Sequence, residues 1–328
     1  MRVLRRSASA LSVAALASVL VCSVPAFAVD GVIEINHARA LAGGATSTDA
    51  PGYPVTLDSS GSYRLTGNLT VPDENTDGIV VSAPSVNIDL NGFEIRRSGC
   101  EGAVTDCSAA SGLGSGVKAV PSTVRGISVK DGSITGMGLF GVWLAREAVV
   151  SGLILRWNRL DGILISYAGA VSGNTAIENG NHGISVGRGS TVSGNTVHEN
   201  TGIGIYAPDG STVSGNTAYK NGWTGISGIY GSTVSGNTVF ENVGGGIDAS
   251  SGSTVSGNTV FRNGSHGIRA TDGSAIVGNT IGSNTGHGIS VGASTGYRDN
   301  IFSNNTAGAA SGGVNAGGNV CNGSLTCP

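Results

Sequence analysis

The chain has 328 residues, of which 56 are glycine, 39% are hydrophobic and only 12% are charged. Its 18 lysines and arginines stand against 21 acidic residues, so there is no basic surplus to follow a phosphate backbone, and nucleic acid is not an expected partner. So much glycine without a collagen period is the profile of many short strands joined by tight turns.

Arg2, Arg5 and Arg6 precede an apolar run from Ala10 to Val21, and small residues at Ala26 and Ala28 follow. This pattern predicts a signal peptide over 1–28 and a secreted or periplasmic bacterial protein. Removing the three arginines of that segment leaves 15 basic residues and a charge of about −6. No later apolar run is long enough for a transmembrane segment. Residues 29–70 read as an N-terminal cap, in which "GVIEIN" predicts a strand and Asn36 starts a short helix over His37–Leu41 that would cover the open first coil. Four cysteines follow in two close pairs, Cys100 with Cys107 and Cys321 with Cys327. Three connectivities are possible, and two local bridges are expected. A zinc site would need the distant pairs to converge, so neither a metal nor a cofactor is expected.

The middle of the chain repeats. Asn174, Asn195, Asn216, Asn237, Asn258, Asn279 and Asn300 stand 21 residues apart, as do Asn158, Asn179, Asn200, Asn221, Asn242, Asn263, Asn284 and Asn305. A Gly-Ile pair keeps step from Gly162-Ile163 to Gly288-Ile289. A fixed period of this length means a solenoid. Within each unit apolar and polar residues alternate in three short runs, as in Ile205–Ala207, Thr212–Ser214 and Thr196–His198, and nothing has helical spacing. Three strands per turn predict an all-β, single-stranded, right-handed parallel β-helix of about ten coils over 71–305, with 306–328 as a C-terminal cap and a monomer as the expected state. Inward columns of Ile184, Ile205 and Ile226, of Val192, Val213 and Val234, and of Val197 and Val239 would form the core. The two asparagine series are expected to bond along the stack as structural ladders.

The pattern V-S-G-N-T-V-x-x-N-x-x-x-G-I-x-V, over about Thr70 to Asn305, resembles the right-handed parallel β-helix repeats of the pectate-lyase-like superfamily. The head "GSYRLTGNLTVP" and the tail "GGNVCNGSLTCP" are similar to those of secreted bacterial β-helix proteins. The resemblance implies the fold strongly and a function weakly, because the superfamily holds lyases, hydrolases, epimerases and adhesins. By the same resemblance its enzymes work in a groove on the first sheet, walled by long loops. The corresponding turns here, such as Asn200–Ile203, are too short to build walls.

The outward column of the first sheet carries Lys118, Trp143, Leu164, Ser185, Tyr206, Ser227, Asp248, Arg269 and Ser290. Aromatic faces stack on sugar rings, and Asp, Arg and Lys bond hydroxyls or carboxylates. Lys118, Trp143, Tyr206, Asp248 and Arg269 are therefore the expected binding residues for an extracellular polysaccharide or cell-surface glycan. The rival readings are a polysaccharide lyase with Lys118 or a nearby arginine as base, and a structural or adhesive rod. "NTDG" at Asn75–Gly78 and "GHGISVG" at Gly286–Gly292 echo a polygalacturonase signature, but some ten coils part them and their companion motifs are absent. His182, His266 and His287 share a turn column; His266 and His287 fall on adjacent coils, but for a third metal ligand the neighbouring column offers only Asp248 and serines, so exposed turn histidines are expected. His198, Tyr219, Phe240 and Phe261 form an aromatic stripe expected to mark binding or self-association. Thr191/Ser193 to Thr254/Ser256 form a hydroxyl array, read as ordinary sheet surface.

Overall fold

The computed structural model describes residues 31–100, 107, 111–325 and 327. The expected signal peptide lies outside them. The chain winds as a parallel β-solenoid with a 21-residue repeat, and its strands stack into one 12-stranded and one 23-stranded sheet. The twelve-stranded sheet runs from Val55–Leu57 to Ala310–Ser311, so the rod has twelve turns rather than ten. The miscount has a local cause: the coils entered at Val55, Ile79 and Val117 do not keep the 21-residue period, because their strand partners Ile79, Val117 and Val142 follow after 24, 38 and 25 residues. Eleven steps of about 4.8 Å place roughly 53 Å between the first and last strand.

Register is kept by what faces inward. Ile184 pairs with Ile205, Ile205 with Ile226, and Ile226 with Ile247, and these side chains are buried. Val192, Val213, Val234 and Val255, and then Val197, Val239 and Val260, are buried in the same way on the larger sheet. A slip of one residue would turn each column outward. The expected second and third sheets are one continuous sheet here, because Ser128–Thr135 and Val149–Arg156 pass through the corner as single strands.

Glycine is required at two places in the repeat. Gly173, Gly194, Gly215, Gly236, Gly257 and Gly278 turn the corner at φ between 63° and 66°. The glycine before each inward isoleucine has the opposite problem, lack of room. A Cβ on Gly183 would lie 2.2 Å from Val197 Cγ1 and 2.8 Å from the Asn200 amide.

That amide belongs to a ladder. At Asn216, Oδ1 accepts from Asn195 N and Asn195 Nδ2, each at 2.9 Å, while Nδ2 donates to Val192 O at 2.9 Å, Ser214 O at 3.1 Å and Asn237 Oδ1 at 3.0 Å. The same bonds link Asn174 through Asn300 and on to Asn319, and a second ladder links Asn158 through Asn305. A tight corner buries backbone N–H groups that no strand partner reaches, and the side-chain amide supplies both donor and acceptor. A third, sparser ladder runs through buried hydroxyls, with Ser190 N donating to Ser211 Oγ and Ser253 N to Ser274 Oγ.

Val32–Ile35 adds to the larger sheet beside Gly61–Leu65, and the helix His37–Ala42 begins at Asn36, whose side chain accepts from Arg39 N at 3.0 Å. Cys100 is bonded to Cys107, and Cys321 to Cys327. Among the described residues no helix is long and apolar enough to cross a membrane.

Candidate functional site

Strand pairing places the outward residues of the twelve-stranded sheet in one register: Lys118 beside Trp143, Trp143 beside Leu164, Ser185 beside Tyr206, Tyr206 beside Ser227, and Asp248 beside Arg269. Lys118 and Arg269 are seven coils apart, about 34 Å at 4.8 Å per coil. The five candidates therefore share one line but cluster only at its two ends.

At the N-terminal end, Lys118 Nζ lies 3.2 Å from Asp77 Oδ2 and 5.3 Å from the centroid of the Trp143 ring. The other Asp77 oxygen accepts from Ser115 N at 2.7 Å, which ties the approach to the strand Val117–Ala119 to this spot. Phe140 supports the indole, with ring centroids 5.4 Å apart and planes tilted by 56°. Asp77 thus holds the Ser115 backbone and a lysine. It lies nine coils, about 43 Å, from His287, so the two motif echoes share no site.

At the C-terminal end, Arg269 Nη1 is 3.8 Å from Asp248 Oδ2. Both border a depression of about 460 Å³ lined also by Thr224, Gly245, His266 and Ser290. The hollow exists because Gly245 holds the turn position occupied by Thr224 on one neighbouring coil and His266 on the other. Burial pushes the Asp248 carboxyl up, partly offset by Arg269 and then His266. Burial pushes the His266 imidazole down, with His287 and Arg269 acting in the same sense.

The histidines have a structural task. His182 Nδ1 accepts from Ile203 N at 2.9 Å and His266 Nδ1 from His287 N at 3.1 Å, each capping an amide of the next coil. Nδ1 must be unprotonated to accept, so each proton sits on Nε2. Among the described residues no three His, Cys, Asp or Glu side chains converge. Asp161 precedes His182 in this column; it is 4% exposed and accepts from Asn181 Nδ2 at 2.7 Å and His182 N at 3.0 Å. Burial raises its carboxyl, against the hydrogen bond from His182 N.

Tyr206, midway along the line, stacks on His182 with centroids 6.0 Å apart. Two strongly exposed aromatics, Trp223 and Tyr230, lie in turns outside the strands. Trp223, the residue before Thr224, is 68% exposed, and Val243, on the following coil, is 70% exposed. Both stand in turns beside the depression, where Gly202 and Gly244 flank Trp223 on neighbouring coils. The sequence signal was a tryptophan at a turn position held by glycine on the coils on either side.

The remaining features fall on the larger sheet. His198, Tyr219, Phe240 and Phe261 stack with centroids 4.6, 4.9 and 5.0 Å apart and planes within 11° of parallel. Stacked rings cover one another's faces and turn their edges outward, so this ladder offers little flat surface to a sugar. Thr191, Thr212, Thr233 and Thr254 are exposed on the adjoining strands.

The family model described as "Right handed beta helix region" matches residues 122–254 and 187–324. No curated protein matches the chain. Among solved structures, the A-module of mannuronan C-5 epimerase AlgE6 from Azotobacter vinelandii is 17% identical at a TM-score of 0.54, the match covering 82% of this chain and 88% of that one. A mutant of the periplasmic alginate epimerase AlgG is 16% identical at a TM-score of 0.53, with 76% of each chain covered. The Dettilon tailspike protein is 18% identical at a TM-score of 0.53, covering 78% of this chain and 58% of that one. At these identities the likeness is one of fold.

Proposed function

We propose that this chain, which belongs to the right-handed β-helix family, is an exported protein that binds an extended polysaccharide along the outward column of its twelve-stranded sheet. The observation that carries the reading is the C-terminal depression, where the Asp248–Arg269 pair, Ser290 and Thr224 converge next to the exposed Trp223. A carboxylate and a guanidinium side by side can bond vicinal hydroxyls, while an indole offers more apolar contact to a sugar face than any other side chain. Lys118 and Trp143 would form a second anchor, with Tyr206 between. Two structural neighbours are named as epimerases of mannuronan and of alginate, which supports a polysaccharide as the class of ligand. The disulfides are consistent with export.

Binding is favoured over catalysis by the shape of the surface. The turns beside the line are short, and Lys118 is engaged by Asp77 and Trp143 rather than aimed into open space. The test is affinity electrophoresis through a panel of soluble polysaccharides. Trp223→Ala and Trp143→Ala should each weaken binding at least tenfold, about 1.4 kcal/mol, with little change in melting temperature. Equal retardation of wild type and both variants, or no retardation by any polysaccharide, would remove the reading.

A further inference from the structure

Where the strands of the twelve-stranded sheet end, four consecutive coils carry Arg125, Arg146, Tyr167 and Arg188 at one position, Arg146 and Tyr167 as the last residues of their strands. Arg125 and Arg146 are direct parallel partners, and Arg146 pairs in register with Tyr167. The guanidinium carbon of Arg146 lies 5.1 Å from the centroid of the Tyr167 ring and that of Arg188 lies 5.7 Å from it, so the ring is approached from the coils on either side. All four side chains are exposed. Arg188 has a distant partner in Asp209 at 3.9 Å. Arg125 and Arg146 have no acidic partner among the described residues, and Glu147, next along the chain, forms no ion pair.

Like charges placed directly opposite on neighbouring strands are destabilising. Nothing in the fold asks for them here, because later coils place Asp209, Tyr230, Ser251 and Asp272 at the same position. Guanidinium groups are planar and always charged, and they donate to carboxylate or sulfate oxygens in a two-pronged fit. Tyr167 restrains two of them by cation–π contact, which lowers the entropy lost when an anion binds.

We propose that the Arg125–Arg146–Tyr167–Arg188 column is an oxyanion-binding strip that takes the repeating acidic groups of an acidic polysaccharide. Its cations follow the rod axis at about 5 and 10 Å intervals, a spacing set by coil height, so a polymer with regularly repeated charges can engage several of them together where a single anion would meet one or two. The strip is a different surface from the column of Trp143 and Trp223, and it does not depend on that column binding sugar.

The test is binding of the full chain to polygalacturonate, dextran sulfate and uncharged dextran at low and physiological ionic strength. The acidic polymers should bind and dextran should not bind at this strip. The affinity should fall steeply with salt. The double variant Arg125→Gln/Arg146→Gln should lose at least tenfold, and Arg125→Lys/Arg146→Lys should recover part of the loss. Polymer should raise the melting temperature of the wild type but not of the glutamine variant. The preferred polymer distinguishes carboxylate from sulfate. Binding of uncharged glycans, followed by quenching of Trp223, should be unchanged in the glutamine variant, so that failure of the strip and failure of the glycan column are read separately. Acidic polymers bound no better than dextran, or bound equally by wild type and glutamine variant, would overturn the proposal.

Discussion

Removing one rung of an asparagine ladder gives a stability change that can be worked from the bonds. In Asn216→Ala the Asn195 backbone N–H loses the only acceptor it has in the fold and is left buried, which costs roughly 1–3 kcal/mol. The Asn195 side chain loses one bond but keeps Val171 O and Ser193 O, at 3.0 and 3.1 Å. Val192 O and Ser214 O lose the amide that reached them, worth about 1 kcal/mol net. The total is about 2–4 kcal/mol, in the middle of a stack where neither end can relax to cover the gap. Guanidinium chloride unfolding, with equal slopes for both proteins, measures it through the shift in midpoint. A loss below about 0.5 kcal/mol would mean that water replaces the amide and that the ladder is not what holds the corner.

Asp161→Asn should raise the melting temperature at neutral pH, because burial raises the carboxyl in the folded state and the ionised form is therefore penalised there. Asparagine keeps an acceptor for His182 N. The gain should vanish in acid, below the unfolded carboxylate range, where both states of the wild type are protonated; a variant that is less stable at neutral pH would show that the charge is needed. His266 acts in the opposite region. Its folded value is depressed, so its contribution is intact above an unfolded value of about 6.5 and is lost as pH falls through that value toward the lower folded one. Unfolding midpoints between pH 5 and 7 should drop for the wild type and drop less for His266→Gln; parallel curves would contradict the assignment of Nδ1 as a neutral acceptor. In the core, Ile247→Ala should cost about 2–5 kcal/mol by leaving a cavity between Ile226 and Ile268, read from the same denaturant curves.

How much of this was legible in the sequence follows from how uniform each environment is. Asn195 and Asn216 meet the same neighbours on every coil, so their period exposed both the fold and their place in it. The coils near Val55 and Ile79 serve the same sheet with loops of unequal length, and counting by period passed over two of them. The Ser190–Ser274 hydroxyls accept from the backbone of the preceding coil, a contact that their sequence spacing does not reveal. The site was half visible. Trp143, Tyr206, Asp248 and Arg269 fall in a strand column, where alternation tells which way a side chain points. Trp223 sits in a turn, where no such rule holds, and the hollow beside it comes from Gly245, a residue that contributes by lacking a side chain. Asp77 was weighed as part of a hydrolase echo, and its contacts with Ser115 and Lys118, 38 and 41 residues further on, fall outside the 21-residue period.

In the proposed binding mode one polysaccharide lies along the sheet and engages both ends of the line. Affinity as a function of oligosaccharide length tests it most directly. The account predicts that binding of purified oligomers of the best polysaccharide strengthens with length until the ligand spans the roughly 34 Å from Lys118 to Arg269. Beyond that span the affinity should level off, and Trp143→Ala should remove the length dependence while leaving the short oligomers bound at Trp223. An affinity already complete with a di- or trisaccharide, or insensitive to length in both wild type and variant, would contradict it.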